Sequence, residues 1–149
     1  MHNAVGPTGA IYGIDLSKGM LREAKALRAR YGWHNVSLAQ GDSANFTAPE
    51  LLDGVLFSLS FNTMPHHMDV LRQAWKQLRP GGRLVIMDAK LPGGPGDKPH
   101  PAVQRLADEN TLLGNPHTVR GKALGKSPAT FVMEEFLFGS YFICRAVKP

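Results

Sequence analysis

Leu78-Arg79-Pro80-Gly81-Gly82-Arg83-Leu84-Val85-Ile86-Met87-Asp88 is the stretch whose reading decides the fold. Proline cannot continue a helix, and two glycines follow it, so residues 79–82 stop a helix sharply and turn the chain. The segment that enters the turn is helical, because Met68, Leu71, Ala74, Trp75 and Leu78 share one face. The segment that leaves it, residues 83–88, reads as a buried strand. Upstream, Val55-Leu56-Phe57-Ser58-Leu59 is apolar at nearly every position, as a strand covered on both faces is.

The same alternation continues toward the N-terminus. Residues 10–15 form a short apolar run after the turn signal Gly6-Pro7-Thr8-Gly9. Ser17 is a candidate N-cap, Met20, Leu21, Ala24 and Leu27 recur at helical spacing, and Gly32 suits the position just past a helix end, which predicts a helix over residues 18–31. Residues 36–39 read as a second strand, running into Gln40-Gly41-Asp42. Strands and helices taking turns imply βαβ crossovers and a largely parallel sheet, that is, an α/β fold. Beyond Asp88 the pattern changes. Residues 91–99 are a loop rich in proline and glycine, residues 102–113 read as a helix, and 114–128 as a basic loop. Residues 131–138 and 141–147 flank Gly139-Ser140, which predicts an antiparallel hairpin closed by that two-residue turn.

The composition excludes several classes. At 149 residues and 43% hydrophobic, the chain can bury a core without covalent staples, and its one cysteine, Cys144, cannot close an internal disulfide. Neither a membrane-length apolar run nor a signal-peptide pattern is present, so a cytoplasmic protein is expected. The net charge of +5 comes from two groups of Lys and Arg, one over residues 18–30 and one over 90–126. Such spacing usually marks a solvated helix face. No nucleic-acid partner is expected, because no aromatic–basic motif accompanies the charge.

In an open α/β sheet, ligands bind beyond the carboxyl ends of the strands. Those ends carry Asp15, Asp42, the loop 61–67 and Asp88. A carboxylate at Asp15 can accept hydroxyl hydrogen bonds from a ribose, or it can cap the helix that follows. Asp42 can accept from an adenine amino group, or finish a turn, and Asp88 either faces a ligand pocket or forms a turn. His66 and His67 follow Met64-Pro65 and offer a general base near neutral pH, against the plainer reading of polar surface at a helix start. The six histidines lack the spacing of a metal site, so no metal is expected. Cys144, Trp33 and Trp75 read as packing residues.

Together these segments resemble the class I S-adenosylmethionine-dependent methyltransferases. Ile11-Tyr12-Gly13-Ile14-Asp15-Leu16-Ser17 is similar to that family's second strand with its ribose-binding acid, and Gly41-Asp42-Ser43 to the turn that contacts adenine. Leu56-Phe57-Ser58-Leu59-Ser60-Phe61 matches the fourth strand, and Leu78-Arg79-Pro80-Gly81-Gly82-Arg83-Leu84 the entry to the fifth. The closing hairpin resembles the last two strands. The resemblance implies S-adenosylmethionine as cofactor, contacted by Asp15, Leu16, Asp42, Ser43 and Phe61, although core packing is the competing role for Phe61. It implies methyl transfer to a small or lipid-like acceptor, with residues 90–128 as an acceptor-side lid inside a single domain spanning 1–149.

One departure stands against these agreements. The family opens with a central strand and a glycine-rich loop, and the sequence begins after both, so an N-terminally incomplete domain with weak activity is expected. In that sheet the first strand lies between the second and the fourth, and its loss leaves backbone groups in need of partners. Three remedies are open: a longer protein, direct pairing of the flanking strands, or a second copy or complementing chain in the slot. The alternative function is a catalytically inactive methyltransferase-like domain acting in protein interaction through its sheet edges.

Overall fold

The computed structural model describes residues 2–89, 130–136 and 141–149. The elements run α1 (His2–Val5), β1 (Ile11–Asp15), α2 (Lys18–Arg30), β2 (Val36–Gln40), β3 (Leu52–Ser58), a 3-10 turn (Phe61–Thr63), α3 (His67–Gln77), β4 (Leu78–Ala89), β5 (Thr130–Phe136) and β6 (Tyr141–Val147). The expected helix 102–113, the basic loop 114–128 and most of the expected lid 90–128 lie outside the described residues. The chain divides into two compact units, Met1–Ala48 and Pro49–Pro149.

In the first unit β1 and β2 pair in parallel, Ile11 opposite Val36 through Asp15 opposite Gln40. Ser17 caps α2 as expected, its hydroxyl accepting from the Met20 N–H at 3.3 Å, and Gly32 leaves the helix at φ 64°. The helix buries less than its apolar spacing suggests: Leu21 is buried, whereas Met20 and Leu27 are exposed. Two strands roughly 5 Å apart are narrower than a helix about 10 Å across, so they shield only part of the apolar stripe.

The second unit holds a four-stranded sheet in the order β3-β4-β6-β5, with β3 and β4 parallel and the two pairs involving β6 antiparallel. Phe57, Ile86 and Cys144 form one cross-strand row, and Leu84 and Ala146 are paired in the next. All five are buried, as are Val70, Leu71 and Ala74 of α3 and Leu78 at its exit. The spacing of the α3 residues is that of one helix face turned to the sheet.

The turn after α3 works as its sequence implied, with one addition. Gly81 sits at φ 76°, a conformation that side chains resist, and a Cβ on Gly82 would lie 2.8 Å from the Arg79 carbonyl oxygen. The two glycines are therefore needed for different reasons. The addition is Lys148, whose Nζ donates to the carbonyls of Trp75, Lys76 and Leu78 at 3.0, 3.2 and 2.6 Å. Helix carbonyls left without intrahelical donors are thus held by a cation at the negative end of the dipole.

Among the described residues β1 pairs with β2, and β3 with β4. One expectation is corrected. The hairpin register sets Phe136 opposite Tyr141, and residues 137–140 lie outside the described residues. A two-residue Gly139-Ser140 turn would instead set Phe138 opposite Tyr141.

Candidate active site

Parallel pairing of β1 and β2 puts their carboxyl ends side by side, and this brings Asp15 and Asp42 to one end of the first unit. The link is direct, since the Gly41 N–H donates to the Asp15 carbonyl oxygen at 3.1 Å. Each carboxylate spends one oxygen on the local backbone. Asp15 Oδ1 accepts from the Ser17 N–H at 2.8 Å and Asp42 Oδ1 from the Ala44 N–H at 2.9 Å. The second oxygen of each has no hydrogen-bond partner among the described residues, and both residues are partly exposed.

Ser17, not Asp15, caps α2; both acids instead close local turns two residues long, and these leave half of each carboxylate open. Two outward acceptors at neighbouring strand ends fit the hydroxyl and amino donors of an adenosine group, so the residues present are compatible with the cofactor's nucleoside part. Leu16 is 63% exposed beside Asp15, and Ser43 is partly buried beside Asp42. Tyr12 turns toward Phe46, their ring centroids 6.3 Å apart.

The corresponding end of the second unit is built by the β3–α3 connection. Asp88 is buried at 4% exposure. Its Oδ2 accepts from the Asn62 N–H at 3.0 Å and its Oδ1 from the Ala89 N–H at 2.8 Å, while the Asn62 side-chain amide donates to the Ala89 carbonyl. The turn-forming alternative therefore describes this residue. The Leu59 N–H donates to the Met87 carbonyl at 2.8 Å, and Leu59 itself is held at φ 50°. A left-handed leucine costs on the order of 1–2 kcal/mol, and it persists here because the Asp88–Asn62 clamp fixes the chain beyond it.

Phe61 lies in the core of the second unit. Its side chain is fully enclosed, with ring centroids of Phe57 at 5.3 Å and His67 at 5.4 Å. It fills the core, the competing role that the sequence offered, because the 3-10 turn holds it against Phe57 and His67.

His66 is exposed at the N-cap of α3, and its ring makes no capping hydrogen bond. His67 is half-buried against Phe61, with Nδ1 3.3 Å from the Met64 carbonyl oxygen. A carbonyl can only accept, so this contact places the proton on Nδ1 and leaves Nε2 as the lone pair of the neutral ring. That second-row contact was invisible in sequence, where the two histidines looked equivalent. Cys144 lies in the core, and burial pushes its thiol up to about 12, so it carries no nucleophilic role.

Comparison with known proteins gives these features a family. Residues 1–134 match the family described as "Methyltransferase domain". The demethylmenaquinone methyltransferase of Listeria monocytogenes serotype 4a (strain HCC23) is 32% identical over 99 residues, covering 66% of this chain and 42% of that protein. The chain thus spans less than half the length of the curated relatives it matches. Among solved structures, the N-methyltransferase NodS from Bradyrhizobium japonicum WM9 aligns with a TM-score of 0.65 at 19% identity, covering 94% of this chain and 74% of that one. NodS has also been solved in complex with S-adenosyl-L-homocysteine. A methyltransferase from Aquifex aeolicus described as SAM-dependent aligns with a TM-score of 0.67 at 18% identity, covering 99% and 73%. A Rossmann-like sheet with a reversed C-terminal hairpin, strand-end acids and the match across residues 1–134 together place this chain in the class I methyltransferase family, whose cofactor is S-adenosylmethionine.

Proposed function

We propose that the chain holds the adenosine part of S-adenosylmethionine through Asp15 and Asp42, flanked by Leu16 and Ser43, and serves methyl transfer to a small, lipid-like acceptor. The observation that carries this reading is the juxtaposition of the two half-open carboxylates, joined through the Gly41 N–H. The acceptor class is supported by the similarity to demethylmenaquinone methyltransferases. A cytoplasmic setting belongs to the same proposal, on the single-cysteine argument.

When bound, the cofactor supplies an electrophilic methyl on a sulfonium, so positioning and exclusion of water carry most of the acceleration. Asp15 orients by accepting from ribose hydroxyls and Asp42 by accepting from the adenine amino group. The Asp88–Asn62 clamp fixes the turn that leads to α3. His67 Nε2, or the exposed His66 ring, takes the proton that the acceptor releases.

The test is calorimetric titration of the chain with S-adenosyl-L-homocysteine, followed by transfer of a labelled methyl group to a soluble demethylmenaquinone analogue. Binding without transfer would support only the cofactor half, and absence of binding would refute the reading.

One observation favours a second reading. The outer edges of β1 and β3 are unpaired among the described residues, and unpaired edges recruit strands. In this alternative the domain is inactive and pairs with a second copy or a complementing chain. A concentration-dependent change of mass in solution, without cofactor binding, distinguishes it.

A further inference from the structure

Leu59 stands where β3 gives way to the 3-10 turn, and neither conformation nor packing accounts for a leucine there. Its φ of 50° lies in the left-handed region, which glycine and asparagine enter readily and a branched side chain resists. The backbone is held in place, because the Leu59 N–H donates to the Met87 carbonyl at 2.8 Å and the Asn62 N–H to buried Asp88. Leu59 is nevertheless 57% exposed, so burial does not offset the strain. The same turn carries a second cost. The Asn62 amide nitrogen donates to the Ala89 carbonyl, which fixes the amide orientation, and Asn62 Oδ1 is enclosed with no partner among the described residues. Two such groups in one turn mark a segment kept for its shape rather than for its stability.

The turn lies at the carboxyl end of β3, which pairs in parallel with β4, and ligands of α/β sheets bind beyond such ends. The β3–α3 connection also carries both candidate bases. His66 is exposed at the start of α3, and the His67 ring meets Phe61 with centroids 5.4 Å apart. Asp15 and Asp42 offer carboxylates, which suit the polar nucleoside end of the cofactor. This connection offers an exposed apolar side chain and proton acceptors, which suit a molecule that is apolar in body and gives up a proton.

We propose that Leu59 is a specificity-determining residue for the methyl acceptor, its strained backbone presenting a side chain that the apolar body of a lipid-like ring compound covers. This inference rests on the methyl transfer to such an acceptor proposed above. A polar acceptor would leave the leucine in water, whereas an apolar one removes its remaining surface from water. Somewhat more than half of Leu59 is open to solvent, and covering that share of a leucine corresponds to roughly three- to twelvefold in affinity.

The experiment compares Leu59→Asn and Leu59→Met with the wild type, all as the full chain. Asparagine tolerates the left-handed backbone and removes the apolar group, whereas methionine keeps an apolar group of similar volume. Melting is followed by circular dichroism. Calorimetry measures affinity for S-adenosyl-L-homocysteine, and affinity for a short-chain demethylmenaquinone analogue with and without that ligand present. Leu59→Asn is expected to melt no lower than the wild type and to bind S-adenosyl-L-homocysteine equally well, yet to lose roughly three- to twelvefold in affinity for the analogue. Leu59→Met should stay within about twofold of the wild type for both ligands. A lower melting temperature for Leu59→Asn would mean that the leucine is packed by its own chain, and unchanged analogue affinity would mean that it meets no acceptor. Either result overturns the assignment and leaves the cofactor reading standing, as does a wild type that does not bind the analogue at all. Failure to bind S-adenosyl-L-homocysteine refutes the cofactor reading instead, and the analogue titration without that ligand still decides the role of Leu59.

Discussion

Lys148→Met should destabilise the second unit by about 2–3 kcal/mol. The wild-type ammonium donates to three carbonyls around the end of α3, with its shortest contact, 2.6 Å, to Leu78. Water can replace it at the exposed Lys76 carbonyl at little cost, so that bond is left out of the sum. The other two acceptors are part-buried, and each bond there contributes about 1–1.5 kcal/mol, the upper half of the range for an ordinary hydrogen bond, because the half-exposed ammonium keeps part of its hydration. Methionine keeps the apolar stem and removes only the charge and the donors. For a chain of this length the loss corresponds to a fall in melting temperature of about 4–12 °C, read by circular dichroism. Lys148→Arg should recover only part of it, because a planar guanidinium cannot direct three donors around one point. A Lys148→Met protein within about 0.5 kcal/mol of wild type in urea titration would refute the reasoning, showing that water caps these carbonyls as well as the ammonium does.

Other consequences can be checked separately. Asp15→Asn keeps an oxygen for the Ser17 N–H and turns the open acceptor into a donor, so affinity for S-adenosyl-L-homocysteine should fall about tenfold or more in calorimetry with the melting temperature unchanged. Asp42→Asn should act in the same direction through the adenine contact. Asp88→Asn sets an amide against one of two backbone N–H donors in a buried site, and a loss of about 2–3 kcal/mol is expected in denaturant titration. Cys144 should resist alkylation at pH 8 until the chain unfolds, since its thiol stays neutral up to about 12. The sign of the linked stability follows: between pH 9 and about 12 the unfolded thiol loses its proton while the folded one keeps it, so stability falls as pH rises through that window.

Much of this architecture is legible in the sequence because it rests on local rules. The Ser17 cap, the Gly32 exit, the α3 face and the Pro80-Gly81-Gly82 stop depend on residues within a few positions of one another, and all of them stand in the structure. The order of elements and the acids at the strand ends follow from the same periodicities. Strand ends are less legible: β3 and β4 both begin earlier than their apolar runs, because pairing between Leu52 and Leu78 extends the ladder past a bulge.

Only the tertiary structure decided which groups at those ends are free to act. Asp15, Asp42 and Asp88 look alike in sequence, yet the first two keep an open oxygen while Asp88 is consumed by the backbone of Asn62 and Ala89. Phe61 and the two histidines are neighbours in the chain, but burial assigns Phe61 to the core, leaves His66 in water and selects the proton position on His67. Lys148 lies some 70 residues from the carbonyls it caps, and Arg30, Tyr31 and Trp33 become a stack only when Gly32 folds the chain back. Amino-acid order encodes short-range conformational preference and the apolar pattern. Hydrogen-bond satisfaction and solvent exposure are properties of distant segments brought together, and they sort residues of identical chemistry into working and structural ones.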